Sequence, residues 1–256
     1  MWARKGENPH PSKRGAQVSS RRHFLIITSG AVVMPHSLGA AERDPTLLDH
    51  LVLGCSDLDQ GMAFVEKHTG VRPAMGGVHP GRGTRNALLA LGVPYYLEVI
   101  APDPQQHEIQ PAGVPLLNAL KQLAAPQLID CAVHTLNIEA VAEQLRQAGM
   151  AFQGPRPGSR ARPDGRVLHW KTLTLDQNHD GLLPFFIEWG ADKDHPSVDA
   201  PTGCLLDSFA VAAPNPGEIA SEFQCLGIDV PIQRGEKPQL RARIEGPGGE
   251  LELGAA

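Results

Sequence analysis

Three segments of this chain repeat one pattern, and a repeated unit limits the available folds more than any single motif does. The segments are "LLDHLVLGCSDLDQGMAFVEKHTG" from Leu47, "LIDCAVHTLNIEAVAEQLRQAG" from Leu128 and "LLDSFAVAAPNPGEIASEFQCLG" from Leu205. Each opens with an apolar pair and an aspartate: Asp49, Asp130 and Asp207. An apolar strand follows, then Asp or Asn punctuation, then an amphipathic helix that stops at Gly70, Gly149 or Gly227. Glycine at that point suits a left-handed helix cap. The strands that close the units also correspond: "YYLEVIAP" carries Glu98, "PFFIEWGA" carries Glu188 and "ELELGA" carries Glu252. Each unit therefore reads as a strand, a helix and two or three further strands, βαβββ. One unit leaves an apolar sheet face uncovered, whereas two side by side curl their sheets around a common cleft.

The pattern predicts an α+β protein with cupped mixed sheets. The first unit spans 42–104. A linker at 105–127 follows, with a short helix over Val114–Ala124. The second unit spans 128–195, and 204–256 is a shortened third that ends in a hairpin turning at "GPGG".

Residues 1–41 read as a targeting segment. Arg21 and Arg22 precede His23, Phe24 and Leu25, an apolar run extends to Met34, and the small residues Gly39, Ala40 and Ala41 follow. The run is too short and too rich in Thr and Gly to span a bilayer. The order of features is that of a twin-arginine export signal, which predicts a periplasmic protein with no stable membrane insertion after export. The segment holds six of the 23 Lys and Arg but one of the 28 Asp and Glu, so its removal takes the net charge from −5 to −10. An acidic chain does not suggest nucleic acid as a partner. Cys55, Cys131, Cys204 and Cys225 have no CxxC spacing, sit in apolar settings and read as small buried hydrophobes.

Within the repeat, Glu98 stands out. An isolated carboxylate in an apolar strand must be paired, protonated or bound to a metal. Glu188 has the same setting in "FFIEW", while Glu252 reads as an edge-strand surface residue. His50 follows Asp49 at a strand start and reads as a cap, a core histidine or a ligand. His134 reads as a packed histidine or a ligand, and His195 as a loop residue. The loop "HPGRGTRN" brings His79, Arg82 and Arg85 together, and its arginines could grip an anionic, oxygen-rich substrate bidentately. Arg160, Arg162 and Arg166 stand at the matching place in the second unit. The alternative is that these arginines pair with structural aspartates such as Asp164. His169 and Trp170 alternate on a strand, so at most one of them faces the cleft.

The βαβββ repeat, "LDHLVLGCSDLD" and "YLEVIAPDP" resemble the vicinal-oxygen-chelate superfamily, which includes glyoxalase I, extradiol dioxygenases and bleomycin-resistance proteins. "HPGRGTRNALLALG", "RPDGRVLHWK" and "PFFIEWG" followed by "HP" resemble its glyoxalase-like domain proteins. The resemblance implies a divalent metal (Mn, Fe, Ni or Zn) held by first-strand and last-strand residues of the paired units. Those positions are His50, Glu98 and Glu188, with Glu98 and Glu188 also available for proton transfer. The second unit's first-strand position falls on Cys131 or Asp130 according to the alignment, and His134 substitutes in a third register. Two functions stay open: a metal-dependent enzyme of lyase, isomerase or dioxygenase type, or a metal-free protein that sequesters a small molecule. Whether two chains of a homodimer complete one cleft is also open.

Overall fold

The computed structural model describes residues 47–162, 164–179, 181–190 and 195–254. The expected export segment lies outside them. Two βαβββ units are present. The first comprises β1 (Leu47–Gly54), α1 (Leu58–Thr69), β2 (Ala74–His79), β3 (Thr84–Ala90) and β4 (Tyr96–Pro102). After α2 (Val114–Lys121), the second comprises β5 (Gln127–His134), α3 (Ile138–Gln147), β6 (Phe152–Ala161), β7 (Val167–Leu175) and β8 (Phe185–Trp189). They share one eight-stranded sheet of order β2-β3-β4-β1-β5-β8-β7-β6. The join is the antiparallel pair β1–β5, and each of these strands lies parallel to its own unit's last strand.

The helices form where the punctuation residues cap them. The Asp57 carboxylate accepts from Gln60 N at 2.8 Å, and the Asn137 side chain accepts from Ala140 N at 3.0 Å. Each cap contributes about 1 kcal/mol. Gly70 and Gly227 end α1 and α4 (Pro216–Leu226) at φ 78° and 71°, a conformation glycine adopts without strain.

Strand alternation sorts the side chains. Leu51, Leu53, Leu97, Val99 and Val133 pack with α1 residues Leu58 and Val65 in the main core. Burying each is worth about 1.5–3 kcal/mol. His50, Val52, Tyr96, Glu98 and Ile100 alternate with them and face the concave side. The sheet curls until its edges meet: Arg160 of β6 donates to the Gly76 carbonyl of β2. At Gly77 a Cβ would come within 2.8 Å of Ala161 O, so a larger residue would hold the edges apart.

The third unit forms its own sheet of order β10-β9-β11-β12, from β9 (Leu205–Ala213), β10 (Ile232–Arg234), β11 (Gln239–Gly246) and β12 (Gly249–Leu253). The turn between β11 and β12 abuts the end of α1, where Gly248 N donates to Thr69 O at 2.8 Å. Three cysteines are buried free thiols, and burial raises that of Cys55 to about 11. Cys225 departs from expectation: it is exposed on α4.

Candidate active site

The curled sheet encloses a cavity of about 790 Å³. Its floor carries His50 of β1, Glu98 of β4 and Asp130 of β5, with Asn86 of β3 and His79 of β2 beside them. Phe185, Ile187, Trp189, Trp170 and Tyr96 supply apolar and aromatic wall, and Arg82, Arg156 and Arg160 the positive charge.

Two bulges at the β1–β5 join set this floor. Leu48 opposes Val133 and His50 opposes Ala132, which leaves Asp49 as an extra residue in β1. In β5 the extra residue is Ile129, between Leu128 and Asp130. A bulge re-aims the side chains on either side of it. Asp130 consequently faces the cleft, and Cys131 turns into the core. Of the two candidates for the second unit's first-strand position, Asp130 is the one that lines the cleft.

The bulged Asp49 is buried and serves as a hub. It meets His50 Nδ1 at 2.6 Å, Trp189 Nε1 at 2.9 Å, His195 Nε2 at 3.1 Å and His134 Nδ1 at 3.4 Å. Burial acts to raise its pKa. The hydrogen bonds from His134, His195 and His50 outweigh burial and hold the carboxyl well below the usual range. The His50 ring stacks on Tyr96, with centroids 4.5 Å apart. With Nδ1 held by Asp49, the other ring nitrogen, Nε2, faces Glu98 Oε2 at 3.7 Å.

Glu98 takes its one short hydrogen bond, 2.6 Å, from Asn86 Nδ2. Its Oε1 lies 3.6 Å from His79 Nε2. Both imidazole distances exceed hydrogen-bond length. His79 is held on its other side by Thr84 Oγ1 at 2.9 Å. Burial lowers its pKa, Glu98 opposes this, and Arg160 and Arg82 add to it. Burial pushes the Asp130 carboxyl up to about 7, against the hydrogen bond from Cys131 N. Burial likewise lowers Arg82, and the neighbouring Arg156 lowers it further, so two like charges share the cleft rim.

Of the expected site residues, His50, Glu98, His79 and Arg82 meet in the cleft, and three do not. Glu188 lies on the opposite face of β8 from Phe185, Ile187 and Trp189, and its Oε2 accepts from Ile138 N at 2.6 Å at the start of α3. It caps a helix. His134 reaches Asp49 and does not line the cleft. Arg85 alternates with the cleft-facing Thr84 and Asn86 and points the other way. Arg162 pairs with Asp199 and Arg166 with Asp164, which leaves Arg160 as the member of that trio in the cleft. His195 is drawn in to Asp49, between the rings of Tyr96 and Trp189. Contrary to the alternation, which allowed at most one, His169 and Trp170 both border the cleft. Asp49, Asn86, Tyr96 and Arg156 were not anticipated. Asn86 was reachable from the sequence, since it stands two residues from Thr84 in a strand whose alternation is regular.

The donor chemistry of the floor suits a divalent metal: His50 and His79 offer nitrogen, Glu98 and Asp130 offer oxygen, and Asp49 holds the far nitrogen of His50 and so sets the ring's orientation. The two imidazoles face different oxygens of Glu98. Among the described residues, the trio whose ligand atoms all lie within 4.8 Å of one another is a different one: His179, Glu218 and Glu222.

The profile of the glyoxalase-like domain matches residues 48–227, which takes in both βαβββ units and the start of the third. The chain belongs to the glyoxalase-like domain family. No curated protein matches it. A hypothetical protein from Staphylococcus aureus shares the fold of this glyoxalase-like chain at 16% identity and a TM-score of 0.62, covering 80% of this chain and 98% of its own. Methylmalonyl-CoA epimerase from Mycobacterium tuberculosis aligns at 18% identity over 60% of this chain and 92% of its own, and the Streptomyces coelicolor epimerase at 18% over 59% and 97%. Both have a TM-score of 0.40, too remote to bear on the chemistry here.

Proposed function

We propose that this glyoxalase-like protein is a divalent-metal-dependent enzyme acting on a small, oxygen-rich, anionic compound. One observation carries the reading. Asp49 holds His50 Nδ1 at 2.6 Å, which turns Nε2 toward the Glu98 carboxylate at 3.7 Å. An imidazole nitrogen and a carboxylate oxygen turned toward each other can share a cation between them, a proton or a metal ion. His50 and Glu98 would hold it, with His79 or Asp130 completing the set. A bound Mn, Fe, Ni or Zn ion supplies Lewis acidity for an oxyanion developing on a substrate.

The chain's own residues do the rest. Arg82 and Arg156 at the rim bind the anionic group and orient it. Tyr96, Trp170 and Trp189 exclude water from the reacting end, which strengthens every charge interaction there. Where His79 completes that set, Asp130, with its carboxyl raised to about 7, can hold a proton and pass it from its carboxyl oxygen. A lyase, isomerase or dioxygenase outcome is compatible with this set. Export through the twin-arginine route to the periplasm belongs to the same proposal and rests on Arg21, Arg22 and the run after them.

A second reading, a metal-free protein that sequesters a small ligand, is favoured by the cleft face of β8. Phe185, Ile187 and Trp189 there offer no metal donor. Metal analysis separates the two. After exposure to Mn, Fe, Ni and Zn, the wild type is expected to carry one equivalent more than either His50→Ala or Glu98→Ala. Equal metal content in all three would remove the enzyme reading and leave the sequestering one.

A further inference from the structure

Outside the cleft, a second set of metal-ligating side chains gathers where the β7–β8 connection meets α4. Glu218 and Glu222 stand one turn apart on α4, on the same face of the helix. His179 comes from the connection, a different part of the chain. Its Nε2 lies 2.9 Å from Glu222 Oε1. One ligand atom from each residue falls within 4.8 Å of the other two. The other Glu222 oxygen, Oε2, is shielded from solvent and has no hydrogen-bond partner. A buried carboxylate oxygen without a partner is costly. The His179–Glu222 ion pair satisfies one of the two oxygens and leaves this cost in place.

Asn178, the residue before His179, is tied down: its carbonyl accepts from Gly181 N and Leu183 N at 3.1 Å, and Leu182 and Leu183 are buried in the main core. None of the three residues lines the cleft.

We propose that His179, Glu218 and Glu222 form a divalent-metal site, separate from the cleft, that clasps the β7–β8 connection to the third unit. One imidazole nitrogen with two carboxylates suits a borderline ion such as Zn²⁺ or Co²⁺ better than Mg²⁺ or Ca²⁺, which prefer oxygen throughout. Solvent water fills the remaining positions, since Glu218 is exposed. Binding displaces the proton shared by His179 Nε2 and Glu222 Oε1, and the orphaned Oε2 gains a partner.

The test uses Co²⁺ with the full chain. In a His50→Ala/Glu98→Ala background, where the cleft has lost two donors, one equivalent of Co²⁺ is expected to bind with a visible d–d spectrum. Adding Glu222→Gln, which preserves shape, or His179→Ala should abolish it. Zn²⁺ at about a hundredfold over its Kd should raise Tm by roughly 5–10 °C in that background and leave the Glu222→Gln protein unmoved. Should the background variant fold poorly, stoichiometry in the wild-type cleft decides: Glu222→Gln alone must lower bound Co²⁺ by one equivalent. No Co²⁺ bound in the background protein, or an unchanged equivalent after Glu222→Gln, would overturn the site. Either result would leave the cleft reading standing, because that reading is scored on His50→Ala and Glu98→Ala.

Discussion

Replacing Asp49 with asparagine tests the hub on which the cleft floor rests. The wild-type carboxylate accepts from His50 at 2.6 Å, Trp189 at 2.9 Å and His195 at 3.1 Å. Asparagine keeps one acceptor oxygen and turns an NH₂ group toward a donor that previously had a partner. One buried donor is then orphaned, at about 1–3 kcal/mol, and the surviving bonds lose their charge assistance. The sum is about 3–4 kcal/mol, or a Tm lower by roughly 8–15 °C for a fold of this size. The loss depends on pH with a definite sign. The folded pKa of Asp49 lies below its unfolded value, so its contribution is complete above the ordinary carboxylate pKa and disappears as pH falls through the folded one. Urea unfolding of both proteins between pH 7 and pH 3 should show a constant gap that narrows below about pH 4. Bound metal in the cleft should weaken about 10–100-fold, as expected when the carboxylate behind a ligand histidine is lost. A Tm within 2 °C of wild type at pH 7, or a gap of the same size at every pH, would refute the hub as the source of order in the floor.

Other substitutions separate residues that look alike in sequence. Glu188→Ala should cost about 0.5–2 kcal/mol through the start of α3 and leave cleft metal unchanged, checked by denaturation and metal analysis. Arg82→Ala and Arg156→Ala should each raise the Kd of an anionic ligand about tenfold or more, with Arg85→Ala near wild type by calorimetry. Asp130 has a folded pKa above its unfolded one, so the metal-free protein should lose stability as pH rises from about 4 to about 7. Asp130→Asn should flatten that slope in urea titrations.

The repeat was legible because its signals are local: apolar runs, capping Asp57 and Asn137, and glycines where helices stop. Glu98 was legible because a carboxylate between apolar neighbours has few bland accounts. Glu188 satisfied the same reasoning and landed on the wrong side. In β4 the residues facing the cleft are Tyr96, Glu98 and Ile100, whereas in β8 they are Phe185, Ile187 and Trp189. A slip of one residue turns a strand's side chains over, and nothing in "FFIEW" records it. Asp49 was hidden for a related reason. It sits in a bulge, and a bulge is set by pairing with a distant strand rather than by its own neighbours. The placement of His195 beside Asp49 spans 146 residues and has no local trace.

The unlike faces of β4 and β8 bear on the orientation of a guest. Had both halves offered the same groups, a small guest could lie in the cup either way round. Here the closing strand of one half brings Tyr96, Glu98 and Ile100, and that of the other Phe185, Ile187 and Trp189. A guest turned end for end would meet different groups, so its two orientations differ in energy. That inequality traces to a single missing carboxylate on β8.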